Sequence, residues 1–168
     1  GGSAAQQLQK LPKEILICGG NLSQPILEEY ETVDFLKDEA YLCQNAYITA
    51  ECALDVALPY LDITIRGCPT LIIGWGRIGK CLGQLLKNMG ADITIAARKE
   101  TDRAMIRALG MKAVDINDLP DQLDRYRLIF NTAPAPVLSR EQTVHCRENC
   151  LKIDLASVPG IEPDPILW

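Results

Sequence analysis

The chain has 168 residues, of which 48 % are hydrophobic and 23 % are charged, a composition typical of an ordered globular protein. Its net charge of −5 argues against nucleic acid or an anionic membrane surface as the main partner. No apolar run approaches the roughly 20 residues that span a bilayer. The 7 cysteines are odd in number and form no C-x-x-C pair, which is typical of reduced thiols in the cytoplasm.

Residues 1–44 are predicted to be a partial N-terminal α/β segment. Its first three residues, Gly-Gly-Ser, have the composition of a tag remnant. Residues 15–18 predict a strand, and residues 25–36 predict a helix with an acidic front. Because this segment is too short for a complete domain, we expect the chain to be part of a longer protein.

Residues 45–62 are predicted to contain a bridging helix between two parts of the chain. Apolar residues recur at helical spacing over residues 45–58. Thr49 and Glu51 lie on this helix and are candidate substrate-binding residues, because they can face a cleft. Helix capping or packing is the alternative role for either residue.

From residue 63 onward, strands and helices alternate in the rhythm of a βαβ array. Strands are predicted at residues 71–73, 92–97, 112–114, 127–131 and 151–155. Helices or turns are predicted at residues 80–89, 101–109 and 116–123 and after Ser139, with Thr101 and Ser139 as helix caps. The strands are apolar on both faces, so the expected fold is α/β, with a doubly wound, Rossmann-like parallel sheet.

A glycine-rich turn follows the first strand of this array. Residues 74–79 read Gly-Trp-Gly-Arg-Ile-Gly, which has the G-x-G-x-x-G spacing of dinucleotide-binding turns. Gly74 allows the tight turn off the strand, Gly76 lets the backbone approach a pyrophosphate, and Gly79 lets the next helix pack closely on the sheet. Residues 63–168 are therefore predicted to be a dinucleotide-binding domain that is truncated at its C-terminus.

The positions between the glycines also belong to the candidate cofactor site. Arg77 either reaches the phosphates or lies at the surface. The bulky Trp75 either covers the cofactor or packs on the loop, and Ile78 completes the turn.

The end of the second strand indicates which dinucleotide binds. An acidic residue about 20 positions after the first glycine binds the free 2′-hydroxyl of NAD. Here Ala97, Arg98 and Lys99 stand at that place, and the first carboxylate is Glu100. Two adjacent cations suit a 2′-phosphate, which arginine can hold with two parallel hydrogen bonds, so NADP is favoured over NAD. A solvated surface loop is the alternative interpretation of the two cations.

Ligands of open α/β sheets bind beyond the carboxyl ends of the strands, and this rule selects two further loops. The loop after the fourth strand contributes candidate cofactor-binding residues, namely Asn131, Thr132, Ala133 and Pro134. The loop after the fifth strand contributes Asp154 and Ser157 as candidate substrate-binding residues. Ordinary turn chemistry is the alternative for both loops.

No catalytic residue and no metal site is predicted. His145 is the only histidine, and it lies in a polar stretch away from any strand end. Together with Cys146 and Cys150 it lacks the usual spacing of metal ligands.

Five motifs occur in an order and spacing that resemble one known family. They lie at residues 45–51, 74–79, 97–98, 131–134 and 153–160. Over roughly residues 13–160 the chain is similar to the A-subunit of dipicolinate synthase from spore-forming bacteria. That family is related in fold to the cofactor domains of 2-hydroxyacid dehydrogenases and adenosylhomocysteinase.

The resemblance implies oxidation of dihydrodipicolinate, a small dicarboxylate substrate, to dipicolinate with NADP as hydride acceptor. It also implies a flavoprotein-like B-subunit as partner and a place in the mother-cell cytoplasm of a sporulating bacterium. A homo-oligomer is a further possible assembly. Members of the family extend beyond both ends of this chain, so we expect the chain alone to bind cofactor without turnover.

Two alternatives stay open. The first is a 2-hydroxyacid-type dehydrogenase, although such enzymes usually present a histidine with a carboxylate and an arginine, and histidine is scarce here. The second is a non-catalytic NADP-binding protein that organises its partners.

Overall fold

The computed structural model describes residues 11–162. The chain divides into two compact units, Gly1–Asn45 and Ala46–Trp168. The expected tag remnant at residues 1–3 and the expected C-terminal truncation at residue 168 lie outside the described residues. In the part of the chain that is described, no helix has both the length and the apolar character needed to cross a membrane.

The first unit contains two short parallel strands, β1 (Leu16–Gly19) and β2 (Glu31–Asp34). A single 3₁₀ turn at Pro25–Leu27 lies between them. The helix predicted over residues 25–36 is therefore wrong. The second half of that stretch contains β-branched residues that pair with β1, and this pairing outweighs the local helical pattern.

Helix α1 (Glu39–Ala57) crosses the boundary between the two units. It begins after Asp38, whose carboxylate accepts the backbone N–H of Ala40 at 2.8 Å, as an N-cap does. The helix predicted over residues 45–58 is confirmed, with an earlier start. Its buried positions are mostly alanines, and this lets the backbone of α1 lie close to the core of the second unit.

The second unit is built on a parallel sheet of five strands. These are β3 (Pro69–Ile73), β4 (Asp92–Ala97), β5 (Lys112–Asp115), β6 (Leu128–Asn131) and β7 (Leu151–Asp154). Their order in the sheet is β5-β4-β3-β6-β7. The predicted Rossmann-like sheet is thereby confirmed, and the order changes direction at β3, which places a crevice beyond its carboxyl end.

The described part of this unit also contains, in addition to the C-terminal part of α1, the α-helices α2 (Arg77–Asn88), α3 (Glu100–Ala108) and the single turn α4 (Arg140–Thr143). Ser139 caps α4 as predicted, in a reciprocal capping box with Gln142. Thr101 is not a cap, because α3 already begins at Glu100 and Lys99 precedes it.

The core lies on both faces of the sheet. Leu71 and Ile73 of β3 pack into one apolar cluster, together with Leu119. Ile72, which lies between them in the chain, points to the opposite face and packs in a second cluster with Leu82 of α2. Burial on both faces fixes the register of β3, so the glycine turn leaves the sheet at a defined point.

Candidate functional site

A cavity of about 270 Å³ lies beyond the carboxyl ends of β3 and β4. Four segments of the chain contribute to its walls: the glycine turn, the end of β4 with the start of α3, the turn after β5 and the loop after β6. The lining residues are Gly74, Trp75, Gly76, Ala96, Ala97, Arg98, Lys99, Asp102, Ile116 and Ala133. The fold thus brings together candidate cofactor residues that are distant in the chain.

Two glycines of the turn are required by the protein itself. Gly74 has φ +106°, a backbone conformation that favours glycine, and its N–H donates to the carbonyl of Ala96 at 2.9 Å. A Cβ atom at Gly74 would lie 2.5 Å from Oγ1 of Thr132. A Cβ atom at Gly79 would overlap the carbonyl oxygen of Gly74. The fold alone therefore accounts for these two residues.

Gly76 is different, because nothing in the described part of the protein requires a glycine there. Its backbone is extended, with φ −81° and ψ −167°. A Cβ atom at Gly76 would meet no atom of the described residues within 4 Å. The open space in front of Gly76 fits a ligand that approaches the backbone closely, as a pyrophosphate does.

Gly76 also stands at the N-terminus of α2, a helix of 12 residues. No side chain caps the helix at Gly76, and its first turn contains no acidic residue. A helix N-terminus presents backbone N–H groups and a partial positive charge. The same place therefore offers both the room and the electrostatics for an anionic group.

The other residues of the turn lie in different surroundings. Trp75 is half-buried and packs against the core, with Nζ of Lys80 at 5.9 Å from the centre of its ring. Arg77 is exposed and Ile78 is half-buried in the first turn of α2, and neither lines the cavity.

Arg98 and Lys99 both line the cavity, and the side chain of a third cation, Arg103, holds the backbone at Ala97 and Arg98. Nη1 of Arg103 lies 2.7 Å from the carbonyl oxygen of Ala97 and 2.7 Å from that of Arg98. The Arg103 side chain is 14 % exposed and also forms an ion pair with Asp115 at 2.6 Å. Arg103 was not predicted from the sequence, because only the tertiary structure reveals its contact with the end of β4.

Glu100, the first carboxylate after β4, does not line the cavity. Its carboxylate pairs with Arg107 and Arg103, and hydrogen bonds from these two side chains lower the pKa of Glu100. Asp102, which was also not predicted from the sequence, does line the cavity. A carboxylate beside Arg98 and Lys99 reduces the positive potential of this wall.

A second cavity, of about 490 Å³, shares Arg98 and Ile116 with the first. Its other lining residues are Asn117, Pro120, Pro136, Val137 and Gln142. Three of these side chains are apolar and two are polar, so the cavity presents both kinds of surface to a ligand. The two cavities are neighbours, because Arg98 and Ile116 line both of them.

The side chain of Asn131 is buried behind the loop that follows β6. Its amide donates to Oδ1 of Asp154 at 2.9 Å and to the carbonyl of Ala133 at 3.1 Å. Thr132 donates through Oγ1 to the carbonyl of Ile73 at 3.0 Å, and Pro134 is exposed. Asn131 and Thr132 therefore shape the loop, of which Ala133 reaches the first cavity.

Asp154 holds the loop after β7 in the same way. Its carboxylate accepts the backbone N–H groups of Gly160 at 2.7 Å and Ile161 at 3.0 Å. Burial opposes ionisation, but these N–H donors and the Asn131 amide outweigh it, so the pKa of Asp154 is lowered. Ser157 is exposed on this loop.

The remaining candidate residues, Thr49 and Glu51, lie on α1. Thr49 is half-buried and Glu51 is exposed, and neither lines either cavity. His145 is exposed just after α4.

Comparison with known proteins identifies relatives by sequence. No family model matches the chain. The dipicolinate synthase A-subunit of Bacillus subtilis is 27 % identical over 116 residues, which cover 69 % of this chain and 39 % of the relative. Shikimate dehydrogenase (NADP(+)) of Clostridium botulinum is 33 % identical over 109 residues, which cover 61 % of this chain and 42 % of the relative.

Comparison with solved structures also identifies a dipicolinate synthase A-subunit as a relative. The crystal structure of the dipicolinate synthase A-subunit from Bacillus halodurans matches with a TM-score of 0.81 and 25 % identity, over 93 % of this chain and 55 % of that chain. The chain thus spans between 39 % and 55 % of the length of these relatives. The resemblance predicted from the five motifs is confirmed: in sequence and in structure the chain is similar to the A-subunit of dipicolinate synthase, and its fold is of the Rossmann type.

Proposed function

We propose that this chain is the nucleotide-binding part of an NAD(P)-dependent oxidoreductase that oxidises dihydrodipicolinate to dipicolinate. The main evidence for nucleotide binding is Gly76. This residue faces open space at the N-terminus of α2, although the described protein does not require a glycine there. The similarity to the A-subunit of dipicolinate synthase supports the choice of reaction.

The two cavities suggest how a dinucleotide is held. The pyrophosphate lies over Gly76, at the positive end of α2. The adenosine ribose lies beside the end of β4, and the adenine enters the second cavity near Pro136 and Val137. In this placement Arg98 borders both the ribose and the adenine, because it lines both cavities.

The preference for NADP rests on the charge at the end of β4. A 2′-phosphate on the ribose would meet Arg98 and Lys99, whereas the nearest carboxylate in sequence, Glu100, is neutralised by two arginines. A relative whose name specifies NADP(+) as its cofactor supports the same choice.

The residues of this chain bind and orient, and the bound nicotinamide would supply the hydride acceptor. Asn131 and Asp154 fix the two loops that close the carboxyl edge of the sheet. We assign no catalytic base to residues 11–162. The flavoprotein-like B-subunit, the dicarboxylate substrate and the mother-cell cytoplasm belong to the proposal through the resemblance.

A non-catalytic nucleotide-binding protein is the second candidate function. This function is favoured because Asn131 and Asp154, the polar residues that end β6 and β7, bind each other and backbone groups. Oxidation of dihydrodipicolinate by the full-length protein, with and without the flavoprotein-like B-subunit, distinguishes an enzyme from a scaffold.

Titration with NADPH and NADH tests the nucleotide proposal. The double variant Arg98→Ala/Lys99→Ala is expected to weaken NADPH binding by at least about tenfold, because each charge-assisted hydrogen bond contributes roughly 1.5–3 kcal/mol. NADH binding should change little. The variant Arg66→Ala/Arg125→Ala removes the same charge from exposed positions outside both cavities and serves as the control. Binding of neither nucleotide by the unmodified chain would overturn the proposal, and a preference for NADH would overturn the role of the two cations.

A further inference from the structure

Arg103 makes four polar contacts around the end of β4, although it does not line either cavity. Its Nη1 atom reaches the carbonyl oxygens of Ala97 and Arg98, both at 2.7 Å. The same side chain pairs with Glu100 at 2.9 Å and with Asp115 at 2.6 Å. One guanidinium thus holds two successive carbonyl groups. These carbonyls belong to the backbone on either side of the Arg98 Cα atom, so the contact fixes the position from which the Arg98 side chain lines the cavity.

The contact with Asp115 extends this clamp to the neighbouring strand. Asp115 lies opposite Ala97 in the register of β4 and β5. Its carboxylate also accepts the backbone N–H of Asn117 at 3.0 Å, and Asn117 lines the second cavity. Arg103 therefore connects the loop after β4 with the turn after β5, and these two segments contribute walls to both cavities.

Arg103 also changes the electrostatics of the site. Glu100 and Asp115 flank the loop with the two cations, and both carboxylates are paired with Arg103. Without this guanidinium, Asp115 would lose its ion pair with Arg103 and Glu100 would keep only that with Arg107, so incompletely balanced carboxylate charges would act on the same wall as Asp102. Their repulsion would fall mainly on a 2′-phosphate, because only the phosphorylated ribose carries charge at that place.

We propose that Arg103 is a positioning residue that sets the preference of the site for a 2′-phosphorylated dinucleotide without touching it. It holds the backbone that presents Arg98 and Lys99, and it neutralises the carboxylates on either side. The inference rests on the proposed function, because it requires that a dinucleotide binds in the first cavity.

The test compares the dissociation constants for NADPH and NADH in three variants. Arg103→Met removes the clamp and the charge, and we expect the ratio of NADH to NADPH dissociation constants to fall by about fivefold or more. Arg103→Lys keeps the charge but has no second nitrogen, so one ammonium cannot pair with Glu100, as Nε of Arg103 does, while it also holds the contacts that Nη1 makes, and its ratio should lie between those of Arg103→Met and the unmodified chain. Arg107→Met is the matched control, because Arg107 pairs with Glu100 on the same helix and is 49 % exposed.

The ratio of the two dissociation constants distinguishes a positioning role from a merely structural one, because a loss of stability weakens the binding of both nucleotides alike. Ratios in Arg103→Met and Arg103→Lys that equal the unmodified ratio would overturn the role of Arg103 and leave the proposed function standing. If Arg103→Met does not fold, Arg103→Lys decides by the same ratio. Binding of neither nucleotide by the unmodified chain would overturn both proposals.

Discussion

Replacement of Gly76 by alanine is the most informative single change, because it separates what the fold requires from what a ligand requires. The backbone at Gly76 is extended, so alanine can adopt it without strain. The added Cβ would meet no atom of the described residues within 4 Å. The folded protein therefore accommodates the methyl group, whereas a pyrophosphate over the turn does not.

Two small terms of opposite sign determine the stability of Gly76→Ala. Reduced freedom of the unfolded chain stabilises such a variant by about 0.4–1 kcal/mol. Alanine is a poorer N-cap than glycine, which costs a few tenths of a kcal/mol or more. The net change in the free energy of unfolding should stay within about 1 kcal/mol, or about 2–4 °C in Tm for a chain of this size.

The effect on binding is expected to be much larger. A methyl group over the turn displaces the pyrophosphate from the N–H groups at the start of α2. Loss of one charge-assisted hydrogen bond, roughly 1.5–3 kcal/mol, corresponds to a decrease in affinity of about 10–100-fold. The variant should lose affinity for NADPH and for NADH to a similar extent, because both nucleotides contain the pyrophosphate.

Thermal unfolding followed by circular dichroism and fluorescence titration with NADPH measure the two effects separately. Gly74→Ala is the control in which the fold itself is destabilised. Gly74 has φ +106°, and an added Cβ would lie 2.5 Å from Oγ1 of Thr132, so we expect the free energy of unfolding to fall by about 2–5 kcal/mol. A Gly76→Ala variant that binds NADPH as tightly as the unmodified chain would refute the placement of the pyrophosphate. A strongly destabilised Gly76→Ala variant would refute the claim that the fold does not require this glycine.

Three further predictions concern the core, the loops and the charge of the site. Phe130→Ala on β6 removes a fully buried ring and should lower the free energy of unfolding by about 3–5 kcal/mol in urea titrations; a loss below about 1 kcal/mol would contradict its place in the core. The pKa of Asp154 is lower in the folded state than in the unfolded state, where it is about 4. The ionised carboxylate therefore stabilises the protein above about pH 4, and this contribution is lost as the pH falls through the folded-state pKa. Asp154→Asn should therefore be less stable than the unmodified chain at pH 7, with a difference that narrows below about pH 4 in urea titrations; a difference independent of pH would contradict this. Asp102→Asn should raise affinity for NADPH by a few fold and leave NADH unchanged in fluorescence titrations, because a carboxylate in the cavity opposes the 2′-phosphate; a gain for both nucleotides would contradict it.

The parallel sheet could be predicted from sequence because its signal is local. The strand predicted at residues 92–97 coincides with β4, and the other four predicted strands of the sheet differ from those observed by two residues or fewer at each end. Short continuous apolar runs bounded by turn residues are typical of strands covered on both faces. The helix predicted over residues 25–36 fails for the complementary reason, since pairing of β2 with β1 is not visible in the local pattern.

The candidate site was predictable where strand ends determine it. The G-x-G-x-x-G spacing selected the glycine turn, the position after the second strand selected the two cations, and the rule that ligands bind beyond the carboxyl ends of strands selected the loop after β6. All three segments contribute to one cavity. The same rule selected Asn131 and Asp154, whose side chains hold the loops and line neither cavity. Position along a strand indicates which loop borders a site, but it does not determine where a side chain points.

The sequence by itself determined the fold class, the position of the glycine turn and the placement of two cations at the end of β4. These features follow from hydrophobic periodicity and glycine spacing over short stretches of chain. The glycine spacing indicated a role for each glycine, but only the tertiary structure identified the atoms that Gly74 and Gly79 approach and the open space at Gly76. Only the tertiary structure showed that Arg103 clamps the loop carrying Arg98. Those distinctions depend on distances between atoms that are remote in sequence, such as the carbonyl of Ala97 and the carboxylate of Asp115, and packing alone sets such distances.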